Sequence, residues 1–155
     1  MQPALPAKLE TRLQKDYQDL NSPPFPPLTI TKNPLNPFVW TIQFPGPLSS
    51  PYEGGKFVVE STFSDKYPYE PPKIRFLTKV YHPLINKENG EICPLLYQKD
   101  WKPAKTLGYP LSLIMASLAN PKGEAPVEAE IAQQLLENRM KFEAVAKEWT
   151  QKFAS

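Results

Sequence analysis

The sequence predicts an α+β fold, with helices toward both ends and a four-stranded antiparallel meander between them. Three observations point there. Apolar residues recur at helical spacing near the N-terminus and again in the last third of the chain. Four short segments between residues 28 and 77 read as strands, and their links are too short for helical crossovers. The 20 prolines cluster at 23–51, 68–72 and 94–126, which makes the middle of the chain rich in rigid turns.

Leu5, Leu9, Leu13, Tyr17 and Leu20 are spaced by three or four and predict the first helix. Lys8, Arg12 and Lys15 fall on another face, and Asn21-Ser22-Pro23-Pro24 ends the pattern. Strands are expected at 28–32, 38–44, 56–63 and 73–77. In the second, Phe38, Trp40, Ile42 and Phe44 alternate with Val39, Thr41 and Gln43; in the fourth, Ile74 and Phe76 share a face. Tyr67-Pro68-Tyr69-Glu70-Pro71-Pro72 forms the corner between the third and fourth strands. An aromatic before proline favours a cis bond there, in a rigid corner that presents Tyr69 outward.

From Thr78 to Leu107 no clean periodicity is visible, a stretch of about 30 residues of the kind that is usually functional in a compact domain. It contains the only His and the only Cys. Helical patterning then resumes. Leu111, Ile114, Met115 and Leu118 form one stripe, stopped by Asn120-Pro121. Ile131 and Leu135 are the spine of a second helix over 128–138, and a third runs through Phe142, Val145, Trp149 and Phe153. Trp101, Tyr52 and Trp149 are expected in the core.

Composition narrows the function classes. A chain of 155 residues suits one domain spanning 1–155, and 41% apolar with 22% charged residues permits a real core. A net charge of +2, scattered along the chain, is too small to imply nucleic acid. One cysteine excludes an intramolecular disulfide. There is no signal pattern and no apolar run near the roughly 20 residues of a membrane helix. The expectation is a soluble intracellular monomer, cytoplasmic or nuclear, with no membrane partner and no metal site.

Several motifs stand in a fixed order: Pro51-Tyr52-Glu53-Gly54-Gly55, Tyr67-Pro68 with Pro71-Pro72, Tyr81-His82-Pro83, Gly90-Glu91-Ile92-Cys93, Trp101-Lys102-Pro103-Ala104, and Glu148-Trp149-Thr150-Gln151-Lys152-Phe153. Their order and approximate spacing resemble the ubiquitin-conjugating enzymes over nearly the whole chain. The resemblance implies that family's fold and an acyl carrier: an activating enzyme loads ubiquitin, or a ubiquitin-like protein, onto Cys93 as a thioester. A ligase then helps deliver it. ATP is consumed by the activating enzyme, so no cofactor is implied here. Tyr69, Lys102, Pro103 and Ala104 resemble the ligase-contact loops, and Lys8, Arg12 and Lys15 the basic face that meets the activating enzyme. The bland alternatives are rigid turns for the first set and a solvated helix face for the second.

A thiolate is both a competent nucleophile and a good leaving group, which is what thioester exchange asks of Cys93. Composition alone would make a lone cysteine a buried, inert one. His82 invites a cysteine–histidine dyad reading, whereas its place in the family motif implies a turn-shaping role.

The sequence departs from the family in two ways. The family's His-Pro-Asn reads His82-Pro83-Leu84, and the interval from His82 to Cys93 is one residue longer. Leucine donates no hydrogen bond, and losing one oxyanion donor costs a factor of about 10²–10³. Asn86 or Asn89 are the residues that would have to bend in to replace it. Acidic residues that resemblance places two positions after the cysteine and in the loop after the following helix fall at Leu95 and Ala125, with Glu124 one place away. Without such carboxylates an incoming lysine is neither deprotonated nor oriented. Cys93-Pro94-Leu95-Leu96 with Trp101-Lys102-Pro103-Ala104 is similar to the subgroup that hands ubiquitin to the cysteine of HECT or RBR ligases. The alternatives are a catalytically impaired binding or scaffold protein of the same fold, and a carrier of a modifier other than ubiquitin.

Overall fold

Alternating apolar residues build one sheet, and helical stripes at both ends cover its inner face. The computed structural model describes residues 4–155. Among them, α1 spans Ala7–Leu20, β1 Thr29–Lys32, β2 Val39–Pro45, β3 Lys56–Thr62 and β4 Lys73–Phe76. A 3-10 turn at Pro94–Leu96 is followed by α2 at Gly108–Ala119, α3 at Ala129–Glu137 and α4 at Arg139–Phe153. The sheet order β1-β2-β3-β4 is an antiparallel meander. Ile42 sits opposite Ile30 on one side and Val59 on the other.

That register puts Trp40, Ile42, Phe44, Phe57, Val59, Ile74 and Phe76 on one buried face, in a single cluster with Leu111, Ile114 and Leu118 of α2. Each large side chain so buried stabilises the fold by about 1.5–3 kcal/mol. Tyr52 is fully buried, its hydroxyl donating to the Tyr81 carbonyl at 2.6 Å. Trp101 and Trp149 are half-buried.

Two helices bury part of the expected stripe together with residues it did not include. In α1 the buried residues are Leu9, Leu13, Asp16 and Leu20, so an aspartate takes the inward place expected for Tyr17. In α4 they are Phe142, Ala146 and Thr150, while Val145 and Trp149 lie on the flank and Phe153 is 37% exposed. Aromatic bulk misled the second assignment: Trp149 and Phe153 pack edge to face on each other rather than entering the core. The Tyr67–Pro68 bond is cis and Tyr69 is 80% exposed. No helix among the described residues is long and apolar enough to cross a membrane.

Candidate active site

The segment after β4 is folded by backbone pairing rather than by regular structure. The Phe76 amide donates to the Gly90 carbonyl at 2.8 Å, which hangs the segment on the sheet edge. Ile85 then pairs with Ile92, the Asn86 amide donates to the Glu91 carbonyl at 2.8 Å, and the Cys93 amide donates to the Leu84 carbonyl at 2.9 Å. Residues 84–86 and 91–93 thus form a short ladder closed by the turn 86–90. Gly90 adopts φ +77°, and a Cβ there would lie 1.9 Å from the Phe76 carbonyl oxygen. Only glycine satisfies both demands.

His82 anchors this ladder to α2. Its ring is fully buried, Nε2 lies 2.8 Å from the Ser117 carbonyl, and Nδ1 accepts from the Leu84 amide at 3.0 Å. A donor at Nδ1 and an acceptor at Nε2 select the neutral tautomer with the proton on Nε2. Burial pulls its pKa down to about 4, and the hydrogen bond to Ser117 only partly offsets this. Both ring nitrogens are engaged and the ring is neutral at pH 7. His82 is held as a strut of the loop, and neither nitrogen is directed at Cys93.

Cys93 is 6% exposed, and its thiol donates to the Ala125 carbonyl at 3.4 Å. Ala125 has φ +49° in the loop between α2 and α3. That loop is fastened beside the thiol because the Val127 and Glu128 amides both donate to the Pro83 carbonyl, at 2.9 and 3.0 Å. The Glu128 carboxylate in turn accepts from the Lys87 amide at 2.9 Å. Leu84, on the other side of the ladder, is 9% exposed. Backbone donors near the sulfur are occupied: the Cys93 amide by Leu84, the Leu84 amide by His82, and Pro94 has none. A thioester carbonyl at Sγ therefore receives no amide from these three residues.

The side-chain oxygens of both asparagines are engaged within their own turn. Asn86 Oδ1 accepts from the amides of Glu88 and Asn89 at 2.9 and 3.0 Å, and Asn89 Oδ1 accepts from Glu91 at 2.9 Å. Both line a depression with Arg75 to Lys79 that Cys93 does not share. Leu95 is 56% exposed, and Glu124 is exposed beside Ala125. Among the described residues no group of three or more His, Cys, Asp or Glu side chains is placed to hold a metal ion.

The two loops carrying Tyr69 and Lys102, Pro103 and Ala104 lie side by side. Trp101 Nε1 donates to the Pro68 carbonyl at 2.7 Å, and its ring lies 5.7 Å from that of Tyr67. Tyr69, Lys102, Pro103 and Ala104 are all exposed. The basic face of α1 is smaller than the spacing suggests. Lys8 and Lys15 are exposed. Arg12 instead turns inward, donating to the Pro103 carbonyl at 2.6 Å, to the Lys105 carbonyl and to Asp16 at 3.3 Å. Two backbone carbonyls and a buried carboxylate outbid solvent for its guanidinium, so it is not a free contact residue. Sequence reasoning missed the Ala125 carbonyl, for which no side-chain signal exists, and Asp16, whose signal was an acid three residues after Leu13 on an apolar stripe.

The family model for ubiquitin-conjugating enzymes matches residues 12–150. Ubiquitin-conjugating enzyme E2 27 of Arabidopsis thaliana is 38% identical over 145 residues, covering 93% of this chain and 76% of that protein. A crystal structure of a Plasmodium yoelii protein assigned as a ubiquitin conjugating enzyme superposes with a TM-score of 0.89 at 36% identity, over 98% of this chain and 99% of that one. The E2 domain of a Toxoplasma gondii ubiquitin conjugating enzyme gives a TM-score of 0.85 at 36% identity, over 94% and 99%.

Proposed function

The chain belongs to the ubiquitin-conjugating enzyme family, whose members are transferases, and on that premise we propose that it carries ubiquitin or a ubiquitin-like protein on Cys93 and passes it to a ligase cysteine. In loading, the Cys93 thiolate attacks the thioester carbonyl held by the activating enzyme. A new carbonyl–sulfur bond forms at Cys93, the old one breaks, and the activating enzyme leaves as a thiolate that takes up a proton. Delivery repeats the exchange, with Cys93 as leaving group and a ligase thiolate as nucleophile. Nothing is oxidised or reduced at either step.

The observation that carries the thiol preference is the environment of Cys93. The thiol's own hydrogen bond goes to the Ala125 carbonyl, the Cys93 and Leu84 amides are already occupied, and Pro94 has none, so these three residues offer the sulfur no free amide. A thiolate acceptor arrives already deprotonated and tolerates this; an ammonium acceptor must lose a proton and needs a base or an orienting acid. The shielding of the thiol by Ala125 favours a second reading, a binding or scaffold protein of the same fold in which the sulfur is inert. One experiment addresses both. Supplying activating enzyme, ATP and a panel of tagged modifiers tests for a reducible adduct on Cys93, and adding free cysteine or free lysine then reads its discharge. The expected result is an adduct that cysteine removes much faster than lysine. No adduct with any modifier leaves the scaffold reading, and equal discharge rates refute the thiol preference.

A further inference from the structure

The inward turn of Arg12 belongs to a larger buried arrangement centred on Asp16. This carboxylate is fully buried at the middle of α1. Its Oδ1 accepts from the Tyr67 hydroxyl at 3.1 Å and from the Leu107 amide at 2.9 Å, and its Oδ2 accepts from Arg12 Nε at 3.3 Å. Arg12 passes the connection on to the carbonyls of Pro103 and Lys105 and lies 5.4 Å above the Tyr67 ring. One carboxylate thus holds both ends of the exposed loop, the Pro103–Lys105 stretch through Arg12 and Leu107 directly. Through Tyr67 it also holds the corner from which Tyr69 projects.

We propose that Asp16 is a positioning residue that sets the shape of the ligase-docking surface, and so governs engagement of the ligase without taking part in loading. The proposal rests on the docking reading of Tyr69, Pro103 and Ala104. A buried ionised group is worth keeping only if its partners satisfy it, and here three donors from three separate segments do so. An apolar residue at position 16 would fill the same space, as Leu9, Leu13 and Leu20 do along the stripe. It would hold neither the loop nor the corner in register, because backbone amides and carbonyls are positioned by directed hydrogen bonds and not by packing alone.

The test uses the full chain with Asp16→Asn, and Tyr67→Phe as a second variant that removes one donor but keeps the ring between Phe63 and Trp101. Each is loaded with the modifier that charges the wild-type chain. Discharge is then followed over a concentration series of the catalytic domain of a HECT or RBR ligase, chosen from a panel as one that the wild-type chain serves. Asp16→Asn should raise the apparent KM for the ligase about tenfold, the consequence of losing hydrogen bonds to a charged group. Loading, discharge to free cysteine and kcat should stay within twofold of wild type. Tyr67→Phe should move KM in the same direction by about threefold. In both variants the Leu107 amide should exchange with deuterium faster than in wild type. An unchanged ligase KM in folded variants overturns the proposal. So does an equal fall in loading, free-cysteine discharge and ligase discharge, because that pattern marks a general loss of structure. If the wild-type chain serves no ligase in the panel, the docking reading itself fails and the proposal with it.

Discussion

Lowering the pH from 7 to 5 should destabilise this protein through one residue, His82. In the folded state burial of the ring pulls its pKa down to about 4, against a partial offset from the hydrogen bond to Ser117. In the unfolded chain it returns to about 6.5. Below 6.5 the unfolded state takes up a proton that the folded state refuses. The stabilising contribution is therefore fully present above pH 6.5 and is lost as pH falls toward 4. Between pH 7 and 5 linkage gives a loss of about 2 kcal/mol, a large part of the 5–15 kcal/mol of a typical domain. Asp16 works in the opposite sense: burial, the largest influence on it, raises its pKa, so it favours the folded state as pH falls. The assay is urea denaturation at both pH values for wild type and His82→Asn, whose amide retains one donor and one acceptor. Wild type should lose about 2 kcal/mol more than the variant over this interval. Because His82 is the only histidine, its ring protons can also be titrated without ambiguity by NMR. A ring that titrates near 6.5, or an identical pH response in the two proteins, would refute the argument.

Two further substitutions probe the ladder beside the thiol. Leu84→Asn should raise discharge to free lysine at least tenfold while leaving discharge to free cysteine within about twofold, since an oxyanion donor contributes up to about 10²–10³; an unchanged lysine rate in single-turnover discharge would show that the missing amide is not what limits transfer. Gly90→Ala places a Cβ 1.9 Å from the Phe76 carbonyl at φ +77° and should cost about 2–4 kcal/mol in urea denaturation. It should also speed alkylation of Cys93, as the ladder loosens from the sheet edge.

Much of the fold was legible because its signals are local. Strand alternation depends on side chains two residues apart, and the observed strands begin and end within about a residue of the expected ones. The apolar spine of α3, Ile131 and Leu135, was likewise visible. The face of α4 was not. Phe142 was on the expected stripe, but the other buried residues are Ala146 and Thr150, set by close approach to neighbouring segments; Thr150 Cγ2 lies 2.6 Å from where a Cβ on Gly55 would be. Small residues at such a contact carry no hydrophobic signature. In the candidate site, the irregular stretch and its single His and Cys marked where to look, but not what each group faces.

What the sequence by itself determined is the family, the α+β order of elements and the absence of an asparagine at position 84. These follow from residue identity and spacing, which the chain carries wherever it folds. Only the tertiary structure decided which hydrogen bonds are already occupied. It placed the Ala125 carbonyl against the Cys93 thiol, fixed the oxygens of Asn86 and Asn89 within their own turn, and drew Arg12 off the surface to Asp16 and the loop at Pro103. Each of these is a competition between a side chain or backbone group and partners distant in the chain. Its outcome depends on which partners the fold brings within about 3 Å, and spacing along the sequence does not record that.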